Sequence, residues 1–239
     1  MDILNPDLLI EEYDIAHNEY QKKGFVNVTK FFGNNFFRRL ESEITSLKNL
    51  KIRKDFTMPI YETPRNLSVI GGGVIKDKSQ FLNGVYSSSE LNSLLRKIIK
   101  KNIFKVNHKE EFIVINFLSE DNDTHGWHLD DPDVALVFIV NSPKNKKGGN
   151  LELVRNFYEN EDEKIQGQFV FEQKNILSYT FNDHEAYLLN ASKILHRVTP
   201  LVGKDFRSAL NFAYSYSDNQ IFGETADLLY TKEKESEYV

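Results

Sequence analysis

The sequence predicts an α+β protein with an antiparallel β-sandwich or jelly roll in its C-terminal half and supporting helices at its N-terminus. Apolar residues recur at helical spacing before residue 110, whereas short apolar and aromatic runs separated by turn residues follow it, without intervening helices. We expect one domain over 1–239, with a mainly helical support region at 1–110, a β core at 111–214 and a C-terminal segment at 215–239.

Start and stop signals predict three helices and one short strand in the support region. Asn5-Pro6 is a cap and first-turn signal for a helix that ends at Gly24. A second helix begins near Asn34-Asn35, and Ser87-Ser88-Ser89 caps a third. Residues 25–28 form a short β run between the first two helices.

Short runs rich in β-branched or aromatic residues predict the strands of the core. Their close spacing favours antiparallel neighbours, as in a sandwich or jelly roll. The predicted strands are 111–118, 134–140, 150–154, 168–171, 176–181, 186–189, 196–201 and 206–214.

Charge and composition argue against several classes of partner. The 35 acidic and 30 basic residues give a net charge of −5, which offers no general attraction for nucleic acid or an anionic membrane. Cysteine is absent, which excludes disulfides and thiolate metal sites and fits a reducing compartment. The N-terminus is acidic rather than basic and apolar, and the longest apolar run, 134–140, is too short to span a bilayer. We expect a cytoplasmic protein; its oligomeric state is not predicted.

Two histidines and one aspartate are the candidate metal ligands. His128-Leu129-Asp130 places an imidazole and a carboxylate on one face, because residues two apart on a strand point the same way. His196 begins a predicted strand far downstream, and Arg207 follows it across a glycine turn. If that turn closes a hairpin, His196 lies opposite Asn211, and Arg207 shares the face of Asn211 about 13 Å away.

This combination suits a mononuclear non-haem iron site. Two histidines and one carboxylate form the facial set that binds Fe(II) and leaves three positions open. A bidentate 2-oxo acid and O₂ can occupy those positions. The planar guanidinium of Arg207 suits the far carboxylate of such an acid, because it pairs bidentately.

Residues 111–214 resemble the double-stranded β-helix (jelly-roll) core of the Fe(II)/2-oxoglutarate-dependent dioxygenases. That resemblance implies Fe(II), 2-oxoglutarate and O₂ as cofactor and co-substrates. It implies metal and catalytic roles for His128, Asp130 and His196, and 2-oxoglutarate binding by Arg207. The matching stretches are His128-x-Asp130, Gly148-Gly149-Asn150-Leu151-Glu152-Leu153, Tyr187-Leu188-Leu189-Asn190, His196-Arg197-Val198-Thr199-Pro200 and Arg207.

A narrower resemblance points to free amino acids. Thr124-His125-Gly126-Trp127-His128 followed by Asp131 is similar to the branch of free-lysine radical halogenases and their hydroxylase relatives. In the halogenases glycine stands where this chain has Asp130, so the resemblance implies hydroxylation, with release of succinate and CO₂. It also implies that Asp131 and Glu111 engage the substrate amine.

The resemblance to that branch also identifies the remaining candidate substrate-binding residues. Positions matching His125, Arg65 and Asn211 belong to its substrate or active-site shell. The stretch 120–133 carries six acidic residues and no Lys or Arg, which favours a cationic substrate group. We therefore expect a small-molecule substrate, a free basic L-amino acid, with lysine ahead of ornithine and arginine.

Other interpretations stay open at this point. The same chemistry could act on a peptide or another small metabolite, and a non-catalytic metal-binding jelly roll would use the same ligands. Asp131 could cap a turn, Glu111 could be a solvated charge, and Arg65 could pair with a surface carboxylate. Asn211 could satisfy a neighbouring strand, and Trp127 is expected to be a packing residue.

Overall fold

A computed structural model describes residues 2–58, 62–154, 175–223 and 225–230, and within these ranges a curled antiparallel sheet is surrounded by six helices. The helices are α1 Ile10–Lys23, α2 Asn34–Leu47, α3 Gly72–Lys78, α4 Gln80–Ser87, α5 Ser89–Ile99 and α6 Thr225–Tyr230. The strands are β1 Phe25–Asn27, β2 Ile52–Thr57, β3 Pro64–Ile70, β4 Phe104–Lys105, β5 Ile113–Leu118, β6 Thr124–His128, β7 Val134–Asn141, β8 Leu151–Val154, β9 Ile176–Tyr179, β10 Glu185–Asn190, β11 His196–Val198 and β12 Arg207–Ser215.

One strand, β3, joins the two halves of the sheet. The order is β1-β10-β7-β12-β5-β3-β6-β11-β8-β9, with β2 beside β3 and β4 beside β12. On its edge away from β2, β3 pairs with β5 through residues 68–70 and with β6 through residues 65–66. The sheet therefore curls at β3 into a jelly roll, which confirms the predicted fold class.

Strict alternation along β7 separates an outer core from an inner one. Leu136 and Phe138 face outward and pack in the cluster that contains α1, α2, α4 and α5. Val137 and Ile139 face inward and pack against the inner surface of the curled sheet. Both faces of β7 are buried because helices cover one and the opposite half-sheet covers the other.

The three predicted helices are present, but the first begins at Ile10 and not at the expected Asn5-Pro6 cap, where residues 6–7 form a turn. At the end of α1, Gly24 adopts φ of 65°, a left-handed conformation that glycine tolerates, and its N–H donates to the carbonyl of Tyr20. Helix α2 begins at Asn34. Before α5, the hydroxyl of Ser88 accepts a hydrogen bond from the backbone N–H of Leu91.

The support region also contributes strands that the sequence pattern did not predict. β2 and β3 form a long antiparallel pair, and β3 reaches the centre of the sheet. The short β6 was likewise not predicted as a strand, because its histidines and glycine lack the apolar alternation of a core strand. The strand expected at 168–171 lies outside the described residues.

The expected hairpin between the strands of His196 and Asn211 is wrong. β11 pairs with β6 and β8, whereas β12 pairs with β4, β5 and β7. Successive strands of a jelly roll pass between its two half-sheets, so a short connection does not have to form a hairpin. None of the helices in the described ranges has the length and apolar character needed to cross a bilayer.

Candidate metal centre

Strand pairing brings His128 and His196 together. His128 ends β6 and His196 begins β11; the two residues are partners in the antiparallel register, with ring centroids 4.1 Å apart. Asp130 lies just beyond β6, and its Oδ1 is 3.3 Å from Nε2 of His128 and 3.7 Å from Nε2 of His196. One ligand atom from each residue lies within 4.8 Å of the others.

The hydrogen bonds of the two imidazoles orient their Nε2 atoms toward the Asp130 carboxylate. Nδ1 of His128 donates to the carbonyl of Gly126 at 2.7 Å, and Nδ1 of His196 donates to the carbonyl of Ile194 at 2.8 Å. Because a carbonyl only accepts, Nδ1 carries the proton in each ring and Nε2 carries a lone pair.

Those lone pairs are what make the site fit a metal ion. Burial, reinforced by the neighbouring His196, lowers the pKa of His128 to about 3, so the His128 ring is neutral near pH 7. Its Nε2 lone pair and the Asp130 carboxylate then lie side by side without a proton between them. A cation satisfies both, and the two-histidine, one-carboxylate set is the one that suits Fe(II).

Two of these three groups, His128 and Asp130, line a cavity whose walls also include all five predicted substrate residues. Met58, Asn116, Leu229 and Tyr230 also line it and were not predicted, because nothing in their local sequence distinguishes them from core or surface residues. The lining residues are Met58, Arg65, Glu111, Val114, Asn116, His125, His128, Leu129, Asp130, Asp131, Pro132, Asn211, Gly223, Leu229 and Tyr230.

Arg207 is a buried cation at the start of β12. Its side chain is 3% exposed, and it donates a hydrogen bond to the hydroxyl oxygen of Tyr187 on β10. No carboxylate among the described residues forms an ion pair with it. Burial raises the pKa of the Tyr187 hydroxyl to about 12, with Arg207 opposing the rise and Asp130 adding to it, so both charges lie near this hydroxyl. A buried guanidinium that has no carboxylate partner among the described residues suits an anionic ligand.

Sequence reasoning did not single out Tyr187, the hydrogen-bond partner of Arg207. It belongs to the quoted stretch Tyr187-Leu188-Leu189-Asn190, and alternation along β10 places Leu188 in the outer core but Tyr187 and Leu189 in the inner one. That alternation, together with a polar tip on an inward-facing residue, was the available signal.

Arg65 and His125 are partners across β3 and β6. Arg65 is 1% exposed and belongs to β3, so it lies within the sheet and not at the surface. Its Nη1 donates to the carbonyl of Gly126 at 3.0 Å. The ring of His125 stacks on that of His128 with centroids 4.0 Å apart.

Glu111 and Asp131 both contact the C-terminal segment. Glu111 precedes β5 in a turn and not in a strand, and it forms a hydrogen bond with the Tyr230 hydroxyl. Burial, helped by Asp130 and Asp131, raises the pKa of Glu111 to about 8. Oδ2 of Asp131 accepts the backbone N–H of Gly223 at 2.8 Å. Glu111 is therefore a partly buried acid that bonds to Tyr230, and not a fully solvated surface charge.

Asn211 lines the cavity, but its strand does not pair with the strand of His196 as predicted. It sits on β12 between Val114 of β5 and Val137 of β7. Its side-chain oxygen is buried and has no hydrogen-bond partner among the described residues. Such an acceptor suits a ligand donor. Trp127 does not line the cavity; the guanidinium of Arg197 lies over its ring at 4.7 Å, which agrees with a packing role.

A family model described as HalD, Halogenase D, matches residues 10–231. No curated protein matches the chain significantly. The chain is thus related by sequence to one family over most of its length.

Solved structures with the same fold are non-haem iron enzymes of low sequence identity. The α-ketoglutarate-dependent epimerase SnoN from nogalamycin biosynthesis matches with a TM-score of 0.65 and 9% identity, over 86% of this chain and 83% of that one. An oxidoreductase of the 2OG-Fe(II) oxygenase family from Burkholderia pseudomallei matches with a TM-score of 0.61 and 13% identity, over 88% and 92%. A prolyl hydroxylase from Trichoplax adhaerens matches with a TM-score of 0.58 and 13% identity, over 93% and 94%.

SnoN has also been solved in complex with Fe³⁺ and α-ketoglutarate. The predicted cofactor set of Fe(II), 2-oxoglutarate and O₂ is confirmed as that of the enzymes sharing this fold, and the chain holds the His-Asp-His ligand set that such iron sites use.

Proposed function

Because the chain belongs to the Halogenase D family, we propose that it is an Fe(II)- and 2-oxoglutarate-dependent oxygenase that hydroxylates an unactivated C–H bond of a free basic L-amino acid, with lysine the first candidate. The observation that carries the proposal is the convergence of His128, Asp130 and His196 beside a cavity with both acidic and cationic side chains.

His128, Asp130 and His196 would hold Fe(II) through two imidazole nitrogens and one carboxylate oxygen. When bound, iron with 2-oxoglutarate supplies the O₂-dependent oxidation of a C–H bond, with succinate and CO₂ as co-products. Arg207 would bind the far carboxylate of 2-oxoglutarate, since it is buried beside the Tyr187 hydroxyl without a described counter-charge.

Asp130 favours hydroxylation over halogenation despite the family's name. In the radical halogenases that the chain resembles, glycine replaces this aspartate and leaves a position on iron for a halide. Here the carboxylate lies within 3.7 Å of both imidazole nitrogens, so it would occupy that position itself.

The charges around the cavity support a free basic amino acid. Glu111 and Asp131 supply carboxylates for an ammonium group, and Arg65 supplies a cation for an α-carboxylate. The buried, unpartnered oxygen of Asn211 suits an N–H of the α-amine. Leu229 and Pro132 add apolar walls that exclude water from the aliphatic chain.

Glu111 would accept hydrogen bonds from the ammonium group of the substrate. In the ligand-free protein its raised pKa reflects a buried carboxyl without a cation. A substrate ammonium placed beside it favours the ionised form and lowers that pKa. The Tyr230 hydroxyl would keep the carboxylate oriented toward the cavity.

The test is a panel of substrates incubated with the full chain, Fe(II), 2-oxoglutarate and O₂. We expect lysine to stimulate succinate release and to gain the mass of one oxygen atom, with ornithine and arginine weaker. Norleucine, which has a methyl in place of the lysine aminomethyl group, is the matched neutral control and should be inactive.

Each other outcome decides against part of the proposal. Activity confined to neutral amino acids or to peptides would refute the substrate class but keep the enzyme class. Metal binding without 2-oxoglutarate turnover on any substrate would identify a non-catalytic jelly roll. A chlorinated product formed in the presence of chloride would identify a halogenase.

A further inference from the structure

The loop that carries Asp130 is not fixed in place by strand pairing. Residues 129–133 connect β6 to β7, and Asp130 lies outside both strands. Its own backbone N–H donates to the carbonyl of Ala191 at 3.1 Å. A metal ligand in such a loop needs further contacts if its distance to His196 is to be set before a metal binds.

Asp133 provides those contacts at the end of the loop. Its Oδ1 accepts the hydroxyl of Ser192 at 2.8 Å, and its Oδ2 accepts the backbone N–H of Tyr216 at 2.8 Å. Its carbonyl accepts the N–H of Ala191 at 2.8 Å. The loop is therefore bonded to Ala191 in both directions, to the adjacent Ser192, and to one further segment at Tyr216.

The segments that Asp133 joins lead to other parts of the site. Ala191 and Ser192 begin the turn before β11, and the same turn contains Ile194, whose carbonyl orients His196. Tyr216 directly follows β12, the strand of Arg207 and Asn211. One carboxylate thus connects the loop of Asp130 to the turn of His196 and to the strand of Arg207.

We propose that Asp133 is a positioning residue that sets the separation of Asp130 and His196 before a metal binds. The inference rests on the proposed function, since it takes both side chains to be metal ligands. Without Asp133 the metal itself would have to order the loop, and the entropy of that ordering would reduce metal affinity.

Asp183 offers a matched control at the opposite end of β7. It accepts a hydrogen bond from the backbone N–H of Ser142 at 2.7 Å and forms an ion pair with Lys144. β7 separates it from Asp133 by about 30 Å at the usual strand rise. Like Asp133, Asp183 accepts a backbone N–H, so Asp183→Asn weakens a comparable carboxylate–backbone contact at the far end of β7, away from the metal centre.

The experiment is a titration of the full chain with Co(II), followed by its visible ligand-field absorption, for the wild type and for Asp133→Asn, Asp133→Ala and Asp183→Asn. All measurements are made below the melting temperature of each variant. We expect Co(II) affinity to fall about 10-fold for Asp133→Asn and up to about 100-fold for Asp133→Ala, with an altered spectrum. Asp183→Asn should lower the melting temperature and keep the wild-type affinity and spectrum.

Wild-type affinity and spectrum in Asp133→Asn would overturn the positioning role and leave the proposed function standing. If Asp133→Ala does not fold, Ser192→Ala replaces it, because it removes one of the same hydrogen bonds; it should weaken Co(II) binding in the same direction. Failure of the wild type to bind Co(II) would instead overturn the metal centre, and this inference with it.

Discussion

His196 lies directly opposite His128 in the antiparallel pairing of β11 with β6. Residues that face each other across two strands point to the same side of the sheet, so this one pairing brings both imidazoles to a common point. Asp130 then needs only to follow β6 by two residues to complete the set. The candidate metal centre thus depends on a contact between segments far apart in the chain.

Replacing Asp130 with alanine removes the anionic member of the set. We expect 2-oxoglutarate turnover to fall at least about 100-fold, because the neutral imidazoles alone bind Fe(II) weakly. Succinate release measures the effect. Asp121→Ala, in the same acidic stretch but exposed and outside the cavity, should retain turnover. Equal activity of the Asp130 variant and the wild type would remove aspartate from the ligand set.

Arg207→Lys keeps the positive charge and removes the planar fork. We expect the KM for 2-oxoglutarate to rise about 10-fold or more, since hydrogen bonds to a charged group are lost. Steady-state kinetics with varied 2-oxoglutarate and a saturating amino-acid substrate measure this KM. Arg197→Lys is the matched control, because Arg197 already has a carboxylate partner in Glu152 at 2.7 Å. A similar rise in KM in both variants would point to general damage.

Glu111 predicts a pH dependence of stability. Burial raises its folded pKa from 4.5 to about 8, so between these values the folded chain holds a proton that the unfolded chain has released. This group therefore lowers the stability of the ligand-free protein as pH rises through that window. Glu111→Gln removes the effect, and its melting temperature relative to the wild type should increase from about pH 5 to about pH 8. A difference that stays constant with pH would contradict the prediction.

Gly148 predicts a stability effect at the start of the β8 segment. Its φ is +75°, and a Cβ there would lie 1.9 Å from the carbonyl oxygen of Pro200. We expect Gly148→Ala to reduce the free energy of unfolding by about 2–3 kcal/mol. Gly84→Ala in α4 meets nothing within 4 Å and should increase it by about 0.5–1 kcal/mol. Urea unfolding of both variants measures these free energies. A Gly148→Ala variant as stable as the wild type would argue against the close approach of Gly148 to Pro200.

Local chemistry made part of the site predictable. Asp130 lies close to His128 because the two are only two residues apart in the chain, although Asp130 lies beyond β6 and not on the same strand, as the sequence argument assumed. The identity of the ligand set follows from coordination chemistry. Local geometry likewise predicted the cap that Ser88 provides to α5 and the stop at Gly24, where one residue's conformation decides the outcome. The roles of Arg65, His125 and Asn211 remain predictions drawn from a family resemblance.

The amino-acid sequence by itself determined the types of chemical group in the site, the end of α1 at Gly24, the starts of α2 and α5, and the β-rich character of residues 111–214. Tertiary structure alone decided that His196 faces His128, that Arg65 is buried in β3, and that Tyr230 reaches Glu111. The physical reason is that a strand's partner is selected by burial of whole sheet faces against helices and against each other. That balance depends on the entire chain and leaves no signal within a short stretch of residues.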